Sequence, residues 1–476
     1  MKIENIQVEQ TIERVTRQLD EEENLSPALR ASLELLLTLV TVLINRLGLN
    51  SRNSSKPPAS DPYRKKARGN GDGNPPGGQK GHAGNHLELV DDPDHIEVFE
   101  VDRATLAADG NFQCVGHERR QVFDIQISRV VTEYRAEILE DERGRRVVAA
   151  FPQHVKVKAQ YACGVKIHSV YMSSFQLLPY KRIEEHFADQ FGIPLSAGSI
   201  YNFNKEVYEM LAPFEDWVTT ALPKARLLHA DETGINIGGK RKWLHVVCSA
   251  TLTLLMPHDK RGGEAVAAMG VLPDYRGTLV HDHWKPYYQL PCRHALCNAH
   301  HLRELERAWE QDGQQWAQQT RALLLEINQA VDTAGGRLNT PRAEDFRKRY
   351  RQLLHDAQTQ CPPPEESQRK KGQRGRLKRS KSRNLLERLI RYEDDVLRFM
   401  VEPEVPFTNN QGERDLRMVK VQQKISGCFR CEQGARIFAR IRSYLSTCQK
   451  NGVSSEQALR LLYEGRWPPF MGITPE

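Results

Sequence analysis

The chain has 476 residues, with 68 lysines and arginines against 61 aspartates and glutamates, so its net charge is +7. That length allows roughly three domains, and the modest basic excess favours nucleic acid as the partner. No apolar run approaches the roughly 20 residues that span a bilayer, and the N-terminus lacks a signal-peptide pattern. We therefore expect a cytoplasmic protein without a membrane partner.

Residues 1–49 are predicted to form an amphipathic helical region. Between Thr11 and Leu47, apolar residues recur at three to four positions, as on one face of a helix. This helix could mediate self-association or pack within the molecule, and the repeat is too short to indicate a coiled coil on its own.

Two segments of different character follow. Residues 50–85 are rich in serine, proline, glycine and basic residues, which predicts a flexible linker. Lys65 and Lys66 in this linker are candidate DNA contacts, although such charge runs are more often simply solvated. Residues 86–160 alternate apolar and polar positions, which predicts a small β-rich module.

Residues 161–222 return to a helical pattern. The first predicted helix has Ile183, Phe187 and Phe191 on one face, and after a glycine-containing turn Ser196 can cap a second helix. Two helices joined in this way resemble a helix-turn-helix. A helical connector that packs on the next domain would produce the same pattern, so DNA recognition by this region is one of two alternatives.

Residues 223–305 are predicted to form an α/β sheet with strands at 226–230, 242–250 and 251–256, a helix at 263–269, strands at 278–281 and 295–297, and a helix that begins at Asn298. Asp231 and Asp282 each end a short apolar run of this region, and Glu413 opens a charged helical pattern further along. Acids at strand ends and on a facing helix can converge and hold Mg²⁺ for phosphodiester chemistry. Taken alone, Asp231 and Asp282 could be loop acids, and Glu413 could complete a capping box that begins at Asn410. Spacing does not exclude the neighbouring acids Glu232, Asp259 and Asp415.

Residues 306–400 are charge-rich and helical, with a basic interruption that could contact phosphates or remain solvated. Its candidate DNA contacts are Lys370, Lys371, Arg374, Arg376, Lys378 and Arg379. The nine cysteines are scattered, as is typical of a reducing compartment. The closest groupings are Cys428 with Cys431, and Cys292 with Cys297, His300 and His301. Zinc is disfavoured because four converging ligands are not evident.

Five blocks of sequence carry a resemblance to a known family. They are His229-Ala-Asp-Glu-Thr, Trp243-Leu-His-Val-Val, Leu279-Val-His-Asp-His-Trp-Lys-Pro-Tyr, His294-Ala-Leu-Cys-Asn-Ala-His-His-Leu-Arg-Glu-Leu and Thr408-Asn-Asn-Gln-Gly-Glu-Arg-Asp-Leu-Arg. In order and local context they resemble the transposases of the insertion sequence 66 family. Asn53-Ser-Ser-Lys-Pro-Pro and Phe175-Gln-Leu-Leu-Pro-Tyr also match, so the resemblance covers nearly the whole chain.

The resemblance implies a DDE-type transposase on a ribonuclease-H-like fold, with Asp231, Asp282 and Glu413 as the catalytic triad that binds two Mg²⁺ or Mn²⁺ ions. A metal-activated water would cut DNA at the transposon end, and the freed 3′-hydroxyl would attack target DNA. Residues 306–400 become a helical insertion in the catalytic domain, and residues 401–476 complete it. Transposon ends, target DNA, further copies of the chain and accessory proteins of the same element are the expected partners.

Residues that flank the triad are secondary candidates for orienting it or touching phosphate. They are His281, His283, Asn409, Asn410, Arg414 and Arg417. Helix capping, surface charge and the opposite orientation of successive strand residues explain them almost equally well.

Two departures from the family pattern stand out. Cys114, with His117 nearby, is the one cysteine left where relatives often have a zinc module, and Thr408 replaces a common aspartate.

The elements together predict a multidomain α/β protein: a ribonuclease-H-like catalytic core with a helical insertion, preceded by an N-terminal helix, a small β-rich module and a helix-turn-helix-like region. The expected function is metal-dependent cleavage at transposon ends and strand transfer into target DNA. A metal-dependent nuclease or resolvase that cuts without joining is the first alternative. A DNA-binding assembly protein with an inactive acidic cluster is the second.

Overall fold

The computed structural model describes residues 2–3, 6–22, 24–47, 49–50, 52–54, 87–105, 112–365, 369, 374–375 and 377–472. Most of the predicted linker lies outside this part of the chain. Some of the predicted DNA contacts lie outside it as well, namely Lys65, Lys66, Lys370, Lys371 and Arg376.

The N-terminal region contains two helices where the sequence predicted one. Its elements are β1 (Lys2–Ile3), β2 (Ile6–Gln7), α1 (Val8–Glu21) and α2 (Pro27–Leu47). A break before Pro27 is expected because proline suits the first position of a helix and not its interior. Ser26 stabilises the start of α2, since its Oγ accepts the Leu29 N–H at 3.3 Å.

Helix α2 is more apolar than the sequence analysis allowed. Its stretch Pro27–Ile44, 18 residues with a mean hydropathy of 1.7, is long and apolar enough by composition to cross a membrane, and none of it is buried. The expectation that no apolar run approaches that length is therefore wrong. One such helix is weak support for a membrane span, because core helices of soluble proteins and signal sequences have the same composition.

The predicted β-rich module of residues 86–160 needs correction. Within the described part of this segment, the paired strands are β3 (Ile138–Glu140) and β4 (Arg146–Val148), which form a single antiparallel hairpin. Apolar side chains at alternating positions are exposed, among them Val122 at 94% and Val130 at 84%. An isolated hairpin has no second layer against which to bury them, so the alternating pattern does not yield a packed module.

The next region is helical, as predicted. It contains α3 (Cys163–Val170), a π-helical turn (Tyr171–Phe175), α4 (Tyr180–Phe191), α5 (Ala197–Met210) and α6 (Ala212–Ala221). Gly192 ends α4 with a φ of 59°, and Ser196 Oγ caps α5 by accepting the Ser199 N–H at 3.1 Å. Phe187 of α4 and Ile200 of α5 are buried. The two helices and their turn therefore have the predicted local structure.

A mixed sheet of five strands carries the predicted acids. Its elements are β5 (Leu227–Ile237), β6 (Lys240–Cys248), β7 (Thr253–His258), α7 (Gly263–Ala268), β8 (Thr278–His281) and β9 (Arg293–Leu296). The order across the sheet is β7-β6-β5-β8-β9, with β5, β8 and β9 parallel and β6 antiparallel to its neighbours. Such a sheet among helices is consistent with a ribonuclease-H-like transposase core.

Strand β5 is longer than predicted because it forms a tight hairpin with β6. Gly238 and Gly239 have φ values of 56° and 78°, which suit the two-residue turn that favours glycine at both positions. Pairing with β6 covers β5 from His229 to Ile237, whereas its pairing with β8 ends at His229. Asp231 consequently lies inside a strand and not at its end.

The remaining helices surround the sheet. They are α8 (Asn298–Asp312), α9 (Gln315–Thr333), α10 (Thr340–Gln360), α11 (Lys381–Arg391), α12 (Glu393–Leu397), α13 (Asn410–Ser426), α14 (Glu432–Lys450) and α15 (Ser455–Tyr463). Helix α13 packs on the sheet face that carries Ile235 and Val246, and α5 and α6 pack on the face that carries Leu228 and Val247. Helices α8 to α12, which lie between β9 and α13 in sequence, form a second core around Trp316. Residues of β8 and β9 also contribute to this core.

Candidate active site

Asp231 and Glu232 are neighbours on β5 with opposite orientations, as successive strand residues have. Glu232 is buried, and its Oε1 accepts bonds from Arg261 Nε and Nη2 at 2.8 and 2.6 Å, while its Oε2 accepts the Tyr287 hydroxyl at 2.7 Å. Asp231 Oδ1 accepts the backbone N–H of Glu232 at 2.8 Å. Glu232 is therefore neutralised by a cation, whereas Asp231 forms no salt bridge within the described part of the chain.

Asp282 directly follows the last residue of β8. Because His229 of β5 lies opposite Val280 of β8 in the parallel pairing, Asp231 and Asp282 are each two residues beyond that pair. They come at the same level of two strands whose axes lie about 4.8 Å apart. Asp282 Oδ1 accepts the Trp284 N–H at 2.9 Å, which holds the turn after β8.

Glu413 lies in the first turn of α13, and Asn409 is the N-cap residue. The N-cap is Asn409 and not Asn410, and its side chain makes no capping bond, so the predicted capping box between Asn410 and Glu413 does not form. Asn409 is 2% exposed; its Nδ2 donates to Ala230 O at 2.9 Å, and its Oδ1 accepts the Nδ1–H of His229 at 2.8 Å. Asn409 therefore ties the start of α13 to the two residues that precede Asp231.

Gly412 leaves room for this arrangement. A Cβ added at Gly412 would lie 3.2 Å from both Nδ2 and Oδ1 of Asn409, closer than an ordinary contact, so a larger residue would press on the buried amide. A second tie connects α13 to α8, because the Asn409 N–H donates to Cys297 Sγ at 3.2 Å and the Asn298 N–H donates to Phe407 O at 3.0 Å. The first turns of two helices are thus fixed against each other beside β5.

The electrostatics of Asp231 indicate that Asp282 and Glu413 both lie near it. Burial raises the pKa of Asp231 well above its usual range, and the charges of Glu232, Asp282 and Glu413 raise it further. Burial, and then the charge of Glu232, raise the pKa of Asp282 to about 6. Like charges shift a pKa in this way at short range. Asp231, Asp282 and Glu413, from here on the acidic cluster, would be stabilised by a bound cation.

Two arginines that the sequence did not single out approach Asp282. Arg261 lies over the rings of Trp243 and Trp284, 4.9 and 4.7 Å from their centroids. Arg388 belongs to the last turn of α11, in the predicted helical insertion. Both positive charges lower the pKa of Asp282. No spacing signal could have identified them, because both are distant from Asp282 in sequence and the fold alone brings them close.

The other acids that spacing could not exclude are paired. Asp415 Oδ2 lies 2.7 Å from Lys450 Nζ and accepts the Thr253 hydroxyl at 2.9 Å. Asp259 pairs with Lys242 at the surface. Glu232, Asp259 and Asp415 therefore each form a salt bridge, whereas the three acids of the acidic cluster form none in the described part of the chain.

His281 and His283 point into a cluster of rings beside the end of β8. A hydrogen bond of 3.0 Å joins His281 Nε2 to His294 Nδ1, and one of 2.8 Å joins His283 Nδ1 to the Tyr288 hydroxyl. Burial lowers the pKa of both His281 and His283 to about 3; His294 lowers the pKa of His281 further, and Arg388 that of His283. Both rings are thus neutral at pH 7 and engaged in packing.

The predicted DNA contacts that the structure describes differ in their surroundings. Arg374, Lys378, Arg414 and Arg417 are exposed, and so is Asn410. Arg379 instead pairs with Glu387 of α11. The role of the exposed residues in DNA binding stays a prediction.

A second group of potential metal ligands includes Glu413. Donor atoms of Cys297, His300 and Glu413 all lie within 4.8 Å of one another, and among the described residues this is the one group of three such residues within that limit. The acidic cluster is spread more widely. A wider spread is expected of carboxylates that share two ions roughly 3.5–4 Å apart.

Comparison with known proteins gives two matches. Residues 159–437 match the family described as Transposase IS66 family, and residues 3–88 match a family of unknown function, DUF6444. None of the curated proteins matches the chain. The first match covers more than half of the chain and includes all three acids. Members of this class are polynucleotidyl transferases that bind DNA and generally use divalent metal ions. The chain belongs to the IS66 family of transposases.

Proposed function

We propose that the protein cuts DNA at the ends of its element and joins the freed 3′-hydroxyl to target DNA, with Asp231, Asp282 and Glu413 as its catalytic residues. The observation that carries this proposal is that Asp282 and Glu413 both raise the pKa of Asp231 and that none of the three forms a salt bridge in the described part of the chain, whereas Glu232 and Asp415 are paired. Family membership supplies the class of reaction.

The acidic cluster suits two Mg²⁺ or Mn²⁺ ions. Hard divalent cations prefer carboxylate oxygens and keep several of their waters. When bound, such ions lower the pKa of a nucleophilic water or hydroxyl and stabilise the leaving oxygen. Their charge would also relieve the repulsion that raises the pKa of Asp231. The donor set thus matches the ions that the family generally uses.

The surrounding residues hold the acids and offer contacts to a phosphate. Asn409 keeps Glu413 in register with Asp231 through its bonds to β5. Arg388 places a positive charge beside Asp282; its Nη2 pairs with Glu304, and its buried Nε has no hydrogen-bond partner among the described groups. We assign Arg388 to the approaching DNA backbone, since arginine donors suit phosphate oxygens. The exposed Arg414 extends this contact along α13.

Self-association and location form the second part of the proposal: a homo-oligomer on paired ends, in the cytoplasm and on the nucleoid when bound to DNA. Leu29, Leu36 and Leu43 of α2 are 50%, 59% and 58% exposed, and they repeat every seven residues, the spacing of a coiled-coil seam. Light scattering of the full chain and of a Leu36→Asp variant tests this, and a monomeric native protein on DNA ends would contradict it.

The acidic cluster favours an active enzyme over a DNA-binding assembly protein, because three converging acids are costly to keep without a function. A nuclease or resolvase would use the same acids, so joining must be measured separately from cutting.

The decisive assay incubates full-length protein with the DNA ends that flank its gene, a labelled target and Mg²⁺ or Mn²⁺. We expect cleavage and joining by the native protein, and binding without either by the Asp231→Ala variant. Cleavage without joining would support the nuclease. Binding of ends without cleavage in both metals would support the assembly protein, and full cleavage by the variant would remove Asp231 from the mechanism.

A further inference from the structure

We propose that Cys297, His300 and Glu413 form a binding site for one zinc-type ion, and that an ion bound there withdraws Glu413 from the acidic cluster. The first half of the proposal, binding, stands on the three side chains alone. The second half, inhibition, rests on the proposed function, because it matters only if Glu413 serves the Mg²⁺-dependent reaction.

The donor chemistry differs from that of the acidic cluster. A thiolate, an imidazole and a carboxylate are the usual ligands of zinc, at about 2.0–2.3 Å, whereas Mg²⁺ avoids sulfur. Ligands at those lengths around a tetrahedral ion are separated by roughly 3.2–3.8 Å. Because the donor atoms lie no more than 4.8 Å apart, the side chains would have to close by at most roughly 1–1.6 Å. A water would complete the coordination.

The backbone already holds these residues together. Cys297 follows β9 and precedes α8, and its N–H donates to His281 O at 3.0 Å. His300 lies in the first turn of α8, and its N–H donates to Cys297 O at 3.2 Å. The bond from the Asn409 N–H to Cys297 Sγ links this turn to α13, which carries Glu413. The ligands therefore need only side-chain rotation to converge.

An unsatisfied atom gives independent support. His300 Nδ1 is buried and has no hydrogen-bond partner among the groups that the structure describes. A buried ring nitrogen without a partner is destabilising, and a metal ion bound through Nδ1 would satisfy it. Cys297 is 1% exposed, so its thiol is shielded from other reactants. As the sulfur–metal bond forms, the thiol proton leaves to solvent.

Occupation of this site has a direct consequence for the acidic cluster. A Glu413 carboxylate drawn toward Cys297 and His300 is displaced from the position that it shares with Asp231 and Asp282. Zinc-type ions bind sulfur and nitrogen donors far better than Mg²⁺ does, so excess Mg²⁺ restores activity poorly. The protein would then be inhibited by zinc at concentrations where Mg²⁺-dependent cleavage is otherwise complete.

Cobalt(II) alone is the probe for binding, because a thiolate–cobalt bond gives a charge-transfer band in the near ultraviolet. Reduced, metal-free, full-length protein is titrated with Co²⁺, and Zn²⁺ is then added to displace it. We expect one Co²⁺ per chain with the thiolate band, no band in Cys297→Ser, and binding weakened by roughly tenfold or more in His300→Ala and in Glu413→Gln.

Two matched thiol variants make the result specific. Cys292→Ser removes the nearest cysteine in sequence, and Cys428→Ser removes one of the exposed pair with Cys431. Both should keep the band. A band that survives Cys297→Ser, or that disappears in Cys428→Ser, overturns the proposal. Because His300→Ala and Glu413→Gln keep the thiol, they test the site even if Cys297→Ser fails to fold.

Inhibition is measured as the Zn²⁺ concentration that halves each protein's own Mg²⁺-dependent cleavage. We expect this concentration to rise by roughly tenfold or more in His300→Ala, and an unchanged value contradicts the inhibitory role. Asp231→Asn separates the two proposals, since it should lose cleavage and keep the cobalt band. If the native protein binds Co²⁺ with the band and never cleaves DNA, the proposed function fails while the metal site stands.

Discussion

Two regions of the chain carry strand-like apolar sequence and differ in burial. In β6 and β7, Val246 and Leu254 are 1% and 4% exposed. In the segment of residues 86–160, from here on the exposed segment, Val122 and Val130 are 94% and 84% exposed. Helices cover the five-stranded sheet on both faces, and nothing in the described part of the chain covers the hairpin β3–β4 in this way. A strand-like apolar pattern therefore does not determine burial, which depends on the layers that pack on the strand.

The difference in burial also affects the pKa of acidic side chains. Covered strands place Asp231 and Asp282 where solvent does not neutralise their mutual repulsion, so burial raises the pKa of each. An exposed segment offers no such environment. A catalytic cluster can be built in the first region and not in the second.

The largest effect is expected when an acid of the covered region is neutralised. Glu413→Gln keeps the shape of the side chain and removes its charge, so we expect Mg²⁺-dependent cleavage to fall by at least roughly 10³-fold, since a bound metal contributes several kcal/mol. Asp124→Asn, in the exposed segment, is the matched control and should stay within about twofold, as surface substitutions away from a site usually do. Comparable losses in the two variants would contradict the contrast.

The second test compares one substitution in both regions. Val246→Asp buries a charge without a partner and should lower the free energy of unfolding by roughly 4 kcal/mol. Val130→Asp adds an exposed charge and should change it by less than about 0.5 kcal/mol. Urea unfolding monitored by circular dichroism measures both values. A large loss in Val130→Asp would show that the exposed segment is in fact packed.

The sequence predicted some features of the covered region correctly and missed others. The bounds of β8, the start of α8 and the cap of α5 were predicted correctly, because each is determined by local apolar runs, turn residues and capping. The predicted β5 was too short, because the residues after Ala230 are mostly polar and do not look like a strand. In the structure β5 continues to Ile237 and pairs with β6 through the turn at Gly238 and Gly239. That glycine pair was an available signal for a hairpin.

The partners of the acids could not be predicted in the same way. Arg261 lies between β7 and α7 and Arg388 lies on α11, so only the fold brings them to Asp282, whereas Asn409 was a candidate because it is close to Glu413 in sequence. A local pattern contains no information about such contacts. The prediction of a packed β-rich module was wrong for the opposite reason. The local pattern of the exposed segment was clear, but no second layer covers its apolar side chains in the described part of the chain.

A smaller effect is expected where the covered region is held together by polar bonds. Asn409→Ala removes the amide that joins α13 to β5 and leaves His229 Nδ1 and Ala230 O without that partner, so we expect a loss of roughly 2–3 kcal/mol. Asn410→Ala, at the exposed neighbour, should change stability by less than about 0.5 kcal/mol. Thermal unfolding measures this difference, and equal values would mean that the buried amide does not fix the helix.

The smallest and most specific effect concerns charge repulsion in the metal-free protein. Because its folded pKa is raised to about 6 by burial and the charge of Glu232, Asp282 retains a proton in the folded state that the unfolded chain has already released. Its contribution to stability is therefore present at low pH and is lost as pH rises from about 4 to about 6. Asp282→Asn removes this loss, so without divalent ions the variant should be more stable than the native protein at pH 7 by about 1–2 kcal/mol.

The pH dependence identifies the cause. The stability gap between Asp282→Asn and the native protein should close as pH falls from 6 to 4, because protonation then makes the two side chains alike, and titrating groups that do not interact with Asp282 cancel in the difference. Mg²⁺ should stabilise the native protein and not the variant, since binding to the folded state alone raises stability. A stability difference that does not change with pH would mean that Asp282→Asn stabilises the protein through packing. The covered sheet would then differ from the exposed segment in burial, but repulsion among its acids would not lower its stability.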